Sequence, residues 1–545
     1  MFREDGHAPA ALAAPLTVPL SQGTTCLRAR ASVAACGHLA AFSRRNGRGG
    51  CAGAAGTVAY VGDRCGRSRL RAGNRLAIER GLSRESRAVT LIAAAALTAV
   101  LLARAPSVDA AVQRTLSEPA LAGAHVGVAV VDPHDGALLY GHDVDGEYLP
   151  ASTLKLLTSA TALAVLGPDA RPRTQLVYDG ETLALIGGGD PLLAERDLDA
   201  AASAVAAAGV TEVHRLAVDQ SYYAGPVYPA GWSWDDLAAY FAPPVTALSL
   251  EENALDVDIA PGSAVGDPAD VRVEEAYAGT LYANAAATGV AGSPATADCM
   301  LVQSASAVRI AGSVPLGSAV IQQGCAVLDP STFAAAVLTG SLKARGVQVD
   351  AIADAAAAPA GARTLWAHDG ASVAELIAKM LAPSDNFIAD ELCRWIAKRR
   401  DPTGSFVACA RAQSAYAASL GIDPHTLSLH DGSGLSRYDL LTPRDLGLLL
   451  AAIARGPDAA VVRGALPRPG REGTLAHRFE HSPAAARIAA KTGSMDHVDD
   501  LAGYVQTADR GELAFVVLVQ GFANERDRMA VRLAAERIVE AIAAL

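Results

Sequence analysis

The strongest constraint on the fold is the order in which hydrophobic periods change along the chain. Apolar residues alternate at strand spacing over His125–Val131, Asp132-Pro133-His134-Asp135-Gly136 carries turn chemistry, and a return strand begins at Ala137–Tyr140. A helix is predicted from about Ser152 to Leu166, closed by Gly167-Pro168, and helical spacing returns over Val373–Met380 and Asn386–Ile396. Near the end, Leu501–Thr507 and Leu513–Gln520 flank Ala508-Asp509-Arg510-Gly511 as a second antiparallel hairpin. Val531, Ala535, Ile538, Ile542 and Leu545 then share one helical face. Strands, helices, strands and a closing helix in that order predict an α+β domain, a sheet covered by helices with both of its chain ends on one side.

Residues 171–361 interrupt this pattern with short strand-like runs broken by Gly, Pro, Asp and Ser, and read as a mainly β insert of one or two sub-domains. The sheet domain is therefore expected in two parts, 111–170 and 362–545. The chain has 545 residues, room for about three domains. Half of them are apolar, which argues against global disorder.

The net charge of -11 conceals an asymmetry. Residues 1–88 hold 14 Arg against five acidic residues, so the rest of the chain is near -20. So acidic a body argues against nucleic-acid binding, which needs a basic stripe. Residues 88–103 form an uncharged apolar run behind Arg84 and Arg87, with small residues beyond. Residues 88–110 therefore read as a secretory signal or, if retained, a membrane anchor, the alternative being a buried Ala-rich helix. Residues 1–87, rich in Arg, Gly, Ala and Cys without a sustained period, are expected to be disordered or a mis-assigned extension. Four cysteines lie there (Cys26, Cys36, Cys51, Cys65). The others form two close pairs, Cys299 with Cys325 and Cys393 with Cys409, which read either as local disulfides of an exported protein or as four buried thiols. None has the CxxC spacing of a zinc site.

Three short motifs carry chemistry. Ser152 and Lys155 stand three residues apart at a helix start, so their side chains are neighbours. A serine hydroxyl becomes a nucleophile when a base takes its proton, and a lysine is that base only when neutral, a state favoured by burial and by a positive helix end. Alone, the pair would equally be a surface lysine on an amphipathic helix. In Ser384-Asp385-Asn386 the serine suits proton relay and the asparagine suits holding a substrate amide and the lysine, while Ser384 or Asp385 would also open the next helix as a cap. Lys491-Thr492-Gly493-Ser494 follows a predicted strand. A lysine and a hydroxyl there can hold a carboxylate, and the glycine lets a substrate backbone lie along the edge, the alternative being a strand end before a turn.

The three in this order are far more specific than any one. With PASTLKLLTSATAL and LGPDARPRT (150–174), GGGDP (187–191), DGSGLSRYDLLTPRDL (431–446), REGTLAHRF (471–479) and KTGSMDHVDDLAGYV (491–505), the sequence resembles the class C low-molecular-mass penicillin-binding proteins. These are the D-alanyl-D-alanine carboxypeptidase/endopeptidase family of the β-lactamase/transpeptidase-like superfamily. The separation between Ser152 and Ser384, too long for a simple β-lactamase, fits the insert of that family. The resemblance implies an antiparallel sheet flanked by helices and an acyl-enzyme on Ser152 with Lys155 as base. It implies that Ser384 and Asn386 act as the second motif and that Lys491, Thr492, Gly493 and Ser494 bind substrate, Ser494 standing where the family often has Thr. An oxyanion hole would use the backbone N–H groups of Ser152 and Ser494. The implied partners are a peptidoglycan stem peptide ending in D-Ala-D-Ala and β-lactams as covalent inhibitors, outside the cytoplasmic membrane, with no cofactor or metal.

The rival readings are a β-lactamase or esterase on the same fold and a non-catalytic peptidoglycan-binding protein. Asp431-Gly432-Ser433-Gly434 lacks the first glycine of a nucleophile elbow and is given no catalytic role. Asp496, His497, Asp499 and Asp500 are expected to form a solvated loop, since no regular ligand spacing appears.

Overall fold

The computed structural model describes residues 108–545 except 274–281, 303–307, 354–356 and 525–526. The apolar run at 88–103, residues 1–87 and the four cysteines among them lie outside the described residues. Among the described residues no helix is long and apolar enough to cross a membrane.

The predicted hairpins meet in one sheet. Strands β1 (His125–Val131), β2 (Leu138–His142), β3 (Ile488–Met495), β4 (Val498–Gln506) and β5 (Glu512–Gln520) lie in the order β3-β4-β5-β1-β2, every pair antiparallel. The first and last strands are thus side by side, with His125 opposite Gln520 and Val131 opposite Ala514. Period-two alternation sends Val126, Val128 and Val130 to one face and Ala129 and Val131 to the other, and both faces are covered. Helix α6 (Arg528–Ala543) lies on the first face through Val531, Ile538 and Ile542, all fully buried. Each such side chain contributes about 1.5–3 kcal/mol. On the second face pack α1 (Lys155–Leu166), α2 (Val373–Leu381), α3 (Asn386–Arg400) and α5 (Pro443–Arg455). The α+β architecture expected from the sequence holds.

The helices start where their sequences dictate. Ser372 accepts from Glu375 N and Glu375 returns a bond to Ser372 N, a reciprocal cap on α2. Thr442 and Asp445 do the same for α5, with Pro443 at its first position. Helix α4 (Phe406–Ser419) follows α3, and the disulfide Cys393–Cys409 joins the two at a Cα separation of 5.4 Å. The second predicted pair, Cys299–Cys325, is also bonded, at 5.8 Å, inside the insert.

The insert is richer in helix than its sequence suggests. A five-stranded sheet in the order 352–353, 215–219, 182–186, 173–178, 363–369 is packed by helices Glu195–Ala207 and Pro330–Lys343. Strand Arg363–Asp369 pairs antiparallel with Arg173–Tyr178, so the insert's strand pairing runs past residue 361 to Asp369. Two three-stranded sheets close over a separate apolar cluster that contains Cys299 and Cys325.

Candidate active site

The chain approaches the site through a backbone conformation unusual for alanine. Ala151 has φ 42°, and a single 3₁₀ turn, Ala151–Leu154, runs directly into α1. Gly434 packs against it so closely that a Cβ there would stand 1.8 Å from Ala151 O. The left-handed turn and the bare glycine together bring the 431–436 loop against the backbone beside Ser152.

Lys155 begins α1 and is fully buried, so it is not a surface lysine on an amphipathic helix. Its Nζ lies 2.8 Å from Ser152 Oγ, 2.7 Å from Asn386 Oδ1 and 2.9 Å from Ser433 O. Asn386 Oδ1 and the Ser433 carbonyl oxygen can only accept, whereas a hydroxyl can also donate. A neutral amine has two N–H groups and one lone pair. All three neighbours are then satisfied in one way: N–H to Asn386, N–H to Ser433, and the Ser152 O–H donating into the lone pair. Asn386 is held for this by its other end, Nδ2 donating to Phe241 O at 2.9 Å, which turns Oδ1 toward the lysine. Burial pulls the Lys155 ammonium down to about 8, against the opposing pull of Asp390, Asp431 and Asp385.

The carboxylates beneath it are themselves buried. Asp390, one turn after Asn386 on α3, accepts from Gly432 N at 2.7 Å, and burial and then Asp431 hold it well above the usual carboxylate range. Asp431 accepts from Gly434 N, Ser436 N and Trp232 Nε1. Two buried carboxylates thus fix the loop whose Ser433 carbonyl meets Lys155. The sequence reading gave this loop no catalytic role; the signal was the pair of glycines flanking Ser433, both too close to neighbouring backbone to carry a Cβ.

The second and third motifs also meet. Asp385 caps α3, accepting from Ile388 N at 2.8 Å, so the capping reading of this segment holds beside the chemical one. Lys491 is fully buried on β3, and its Nζ donates to Ser384 Oγ at 2.7 Å and to Thr492 O at 2.9 Å. Burial, and then repulsion from Lys155, lowers its pKa well below the ordinary lysine value. Thr492 Oγ1 donates to Thr474 Oγ1 at 2.8 Å. A Cβ on Gly493 would meet Pro150 O at 3.0 Å, so β3 runs close beside the turn that carries Ser152. Ser494 Oγ accepts from Arg528 Nη1 at 2.7 Å.

Ser152, Ser384, Asn386 and Ser494 line one cleft of about 350 Å³ together with Phe241, Leu435, Arg437 and Arg528. Sequence reading found the first four. It missed Phe241 and Arg528, for which no local signal exists, and Thr474, which sits in a stretch already noted for its resemblance.

The cluster at 496–500 is not a solvated loop throughout. Asp499 and Asp500 lie on β4 and are fully buried. Asp499 pairs with Arg478 at 3.3 Å and with Arg532 at 2.8 Å, and Asp500 accepts from Val519 N at 3.0 Å. Arginines from two distant segments neutralise the first, which spacing along the sequence does not reveal. Among the described residues it is instead exposed Glu212, His214 and Asp350 in the insert whose ligand atoms lie within 4.8 Å of one another.

A chain of known sequence from an Actinomadura species, "D-alanyl-D-alanine carboxypeptidase", is 32% identical over 447 residues, which cover 77% of this chain and 83% of that one. The crystal structure of penicillin binding protein 4 (dacB) from Haemophilus influenzae superposes with a TM-score of 0.71 at 24% identity, covering 80% of this chain and 99% of that one. The same protein complexed with a novel beta-lactam gives 0.66 at 23% identity, covering 78% and 97%. Residues 108–542 match one family model from near the first described residue to α6, and the chain belongs to the D-Ala-D-Ala carboxypeptidase 3 (S13) family.

Proposed function

We propose that the protein is a serine-type D-alanyl-D-alanine carboxypeptidase that trims peptidoglycan stem peptides through an acyl-enzyme on Ser152. The observation that carries this is the buried Lys155 amine 2.8 Å from Ser152 Oγ, with its two other neighbours able only to accept. Ser152 Oγ attacks the carbonyl between the last two D-Ala residues while its proton passes to Lys155. The C–N bond then breaks, and the terminal D-Ala leaves after its amine takes up a proton. Water hydrolyses the ester and regenerates the serine.

Ser384, hydrogen-bonded to Lys491, stands as the relay to the leaving amine, and Asn386 orients Lys155. Lys491, Thr492 and Gly493 edge the groove for the substrate carboxylate and backbone. The backbone N–H groups of Ser152 and Ser494 are the candidate oxyanion donors. A β-lactam would acylate the same serine, and the solved relative bound to such a compound supports this. The substrate places the work outside the cytoplasmic membrane, with residues 88–103 as export signal or anchor.

The test is D-Ala release from a pentapeptide ending in D-Ala-D-Ala, run with wild type and Ser152→Ala. Release by the first and loss in the second is expected; undiminished release by Ser152→Ala would refute the assignment. Slow release of bound penicillin beside rapid D-Ala release would separate the carboxypeptidase from a β-lactamase.

A further inference from the structure

Arg528 opens α6 and reaches the end of the hairpin that carries the third motif. The connection there is short: β3 ends at Met495, β4 begins at Val498, and these two residues face each other as the last pair. Ser494 stands one position earlier, opposite Asp499, on the strand at one edge of the sheet. Strand ends beside a turn are among the first parts of a fold to open. His497, in this turn, has φ 63°, which few residues with a side chain adopt. Support for the turn comes from the chain just after β5, where Gly521 N donates to His497 O at 2.9 Å.

The guanidinium meets the same end at three points. Nη1 donates to Ser494 Oγ at 2.7 Å and to Val498 O at 3.0 Å, and Nη2 donates to Met495 O at 2.6 Å. One side chain therefore holds both members of the last pair and the serine before them. Its Cζ lies 5.5 Å from the centre of the Phe522 ring, next to Gly521. One helical turn further on, Arg532 reaches Asp499, the residue opposite Ser494, at 2.8 Å. Positions four apart share a helix face, so two arginines of α6 grip the Ser494–Asp499 pair from one side. The helix that carries them is itself fixed by fully buried Val531, Ile538 and Ile542.

We propose that Arg528 is a positioning residue for acyl transfer, clamping the β3–β4 end so that the Ser494 backbone N–H stays in place as an oxyanion donor. A guanidinium has five N–H donors and no acceptor, so Ser494 Oγ accepts from it and keeps its own proton to donate elsewhere. Both residues line the cleft that contains Ser152. The inference rests on the function proposed above and adds the group that holds one of its two candidate oxyanion donors. The planar fork is what the three acceptors require. A lysine ammonium carries the same charge at a single point and cannot span both strands in the same way. Oxyanion stabilisation is realised in the transition state, so a loosened donor slows acylation without weakening the initial complex.

The experiment follows acylation of wild type, Arg528→Gln and Arg528→Lys over a range of fluorescent penicillin concentrations. The acylation rate constant and the dissociation constant of the initial complex are then read separately, with a thermal midpoint for each protein. Arg528→Gln is expected to lower the rate constant about tenfold while the dissociation constant stays within about threefold of wild type. Arg528→Lys should remain at least about threefold slow. An Arg528→Gln protein with the wild-type rate constant overturns the proposal, even if its thermal midpoint falls. So does one in which only the dissociation constant rises, the mark of a contact made equally before the transition state. Arg528→Lys at the full wild-type rate also overturns it, since charge alone would then suffice, and this variant decides the matter should Arg528→Gln not fold. A wild type that no penicillin acylates would sink the underlying function, a result distinct from all of these.

Discussion

Gly434→Ala should separate local geometry from general stability. At φ 80° an alanine costs about 1–2 kcal/mol in backbone strain alone. Its Cβ would also stand 1.8 Å from Ala151 O and 3.1 Å from Leu154 Cβ. Ordinary contact begins near 3.4 Å, so either the loop or the 151–154 turn must retreat by about 1.5 Å. One side of that contact carries the Ser433 carbonyl and the other carries Ser152, so the retreat moves Lys155 and the hydroxyl relative to each other. A misplacement of about 1 Å costs about a hundredfold in rate. Gly123→Ala is the control: its φ is 81°, with nothing within 4 Å of the added carbon. It should lose the same strain energy and no rate. The assay is the second-order rate of acylation by a fluorescent penicillin beside a urea unfolding curve for each protein. A folded Gly434→Ala that acylates at the wild-type rate would refute the reasoning, as would a Gly123→Ala that slows equally.

Three further outcomes follow from the same contacts. Lys155 acts as a base only when neutral, and burial pulls its pKa down to about 8, so acylation should climb as pH rises through that value; a rate flat from pH about 6 to 9 would contradict the lysine base. Asn386→Asp puts a carboxylate 2.7 Å from Lys155 Nζ, which favours the ammonium, so the acid limb should move about one unit or more to higher pH, and an unmoved limb would remove Asn386 from the base's surroundings. Replacing Cys393 and Cys409 by serine opens a loop with a sequence separation of 16, a loss of about 3 kcal/mol read from the urea midpoint; an unchanged midpoint would show the link to be dispensable.

What the sequence disclosed and what it withheld divide along a physical line. Side-chain identity at fixed spacing is written in the chain, so Ser152, Lys155, Ser384, Asn386 and Lys491 were legible, and the structure brings them to two hydrogen-bonded clusters. The alternation in His125–Val131 and Leu513–Gln520 likewise marked two strands that prove to be partners. The carbonyls of Ser433 and Phe241 were not legible, because every residue has one and only the fold decides which is aimed at an amine or amide. Asp499 and Asp500 misled because Asp496 and His497 beside them do form a turn, while the arginines that neutralise Asp499 come from Arg478 and Arg532. The insert's helices were hidden by a weak period: alanines make the apolar face of Glu195–Ala207 shallow, and small or hydroxyl residues interrupt that of Pro330–Lys343.

The central claim is that the hydroxyl of Ser152, activated by Lys155, is the group that carries the acyl chain. Labelling the purified protein with a fluorescent penicillin, digesting it and identifying the modified peptide by mass tests that claim most directly. One adduct, on the peptide that contains Ser152 and absent from Ser152→Ala, is the predicted result. An adduct on another residue, or one that persists in Ser152→Ala, would contradict it.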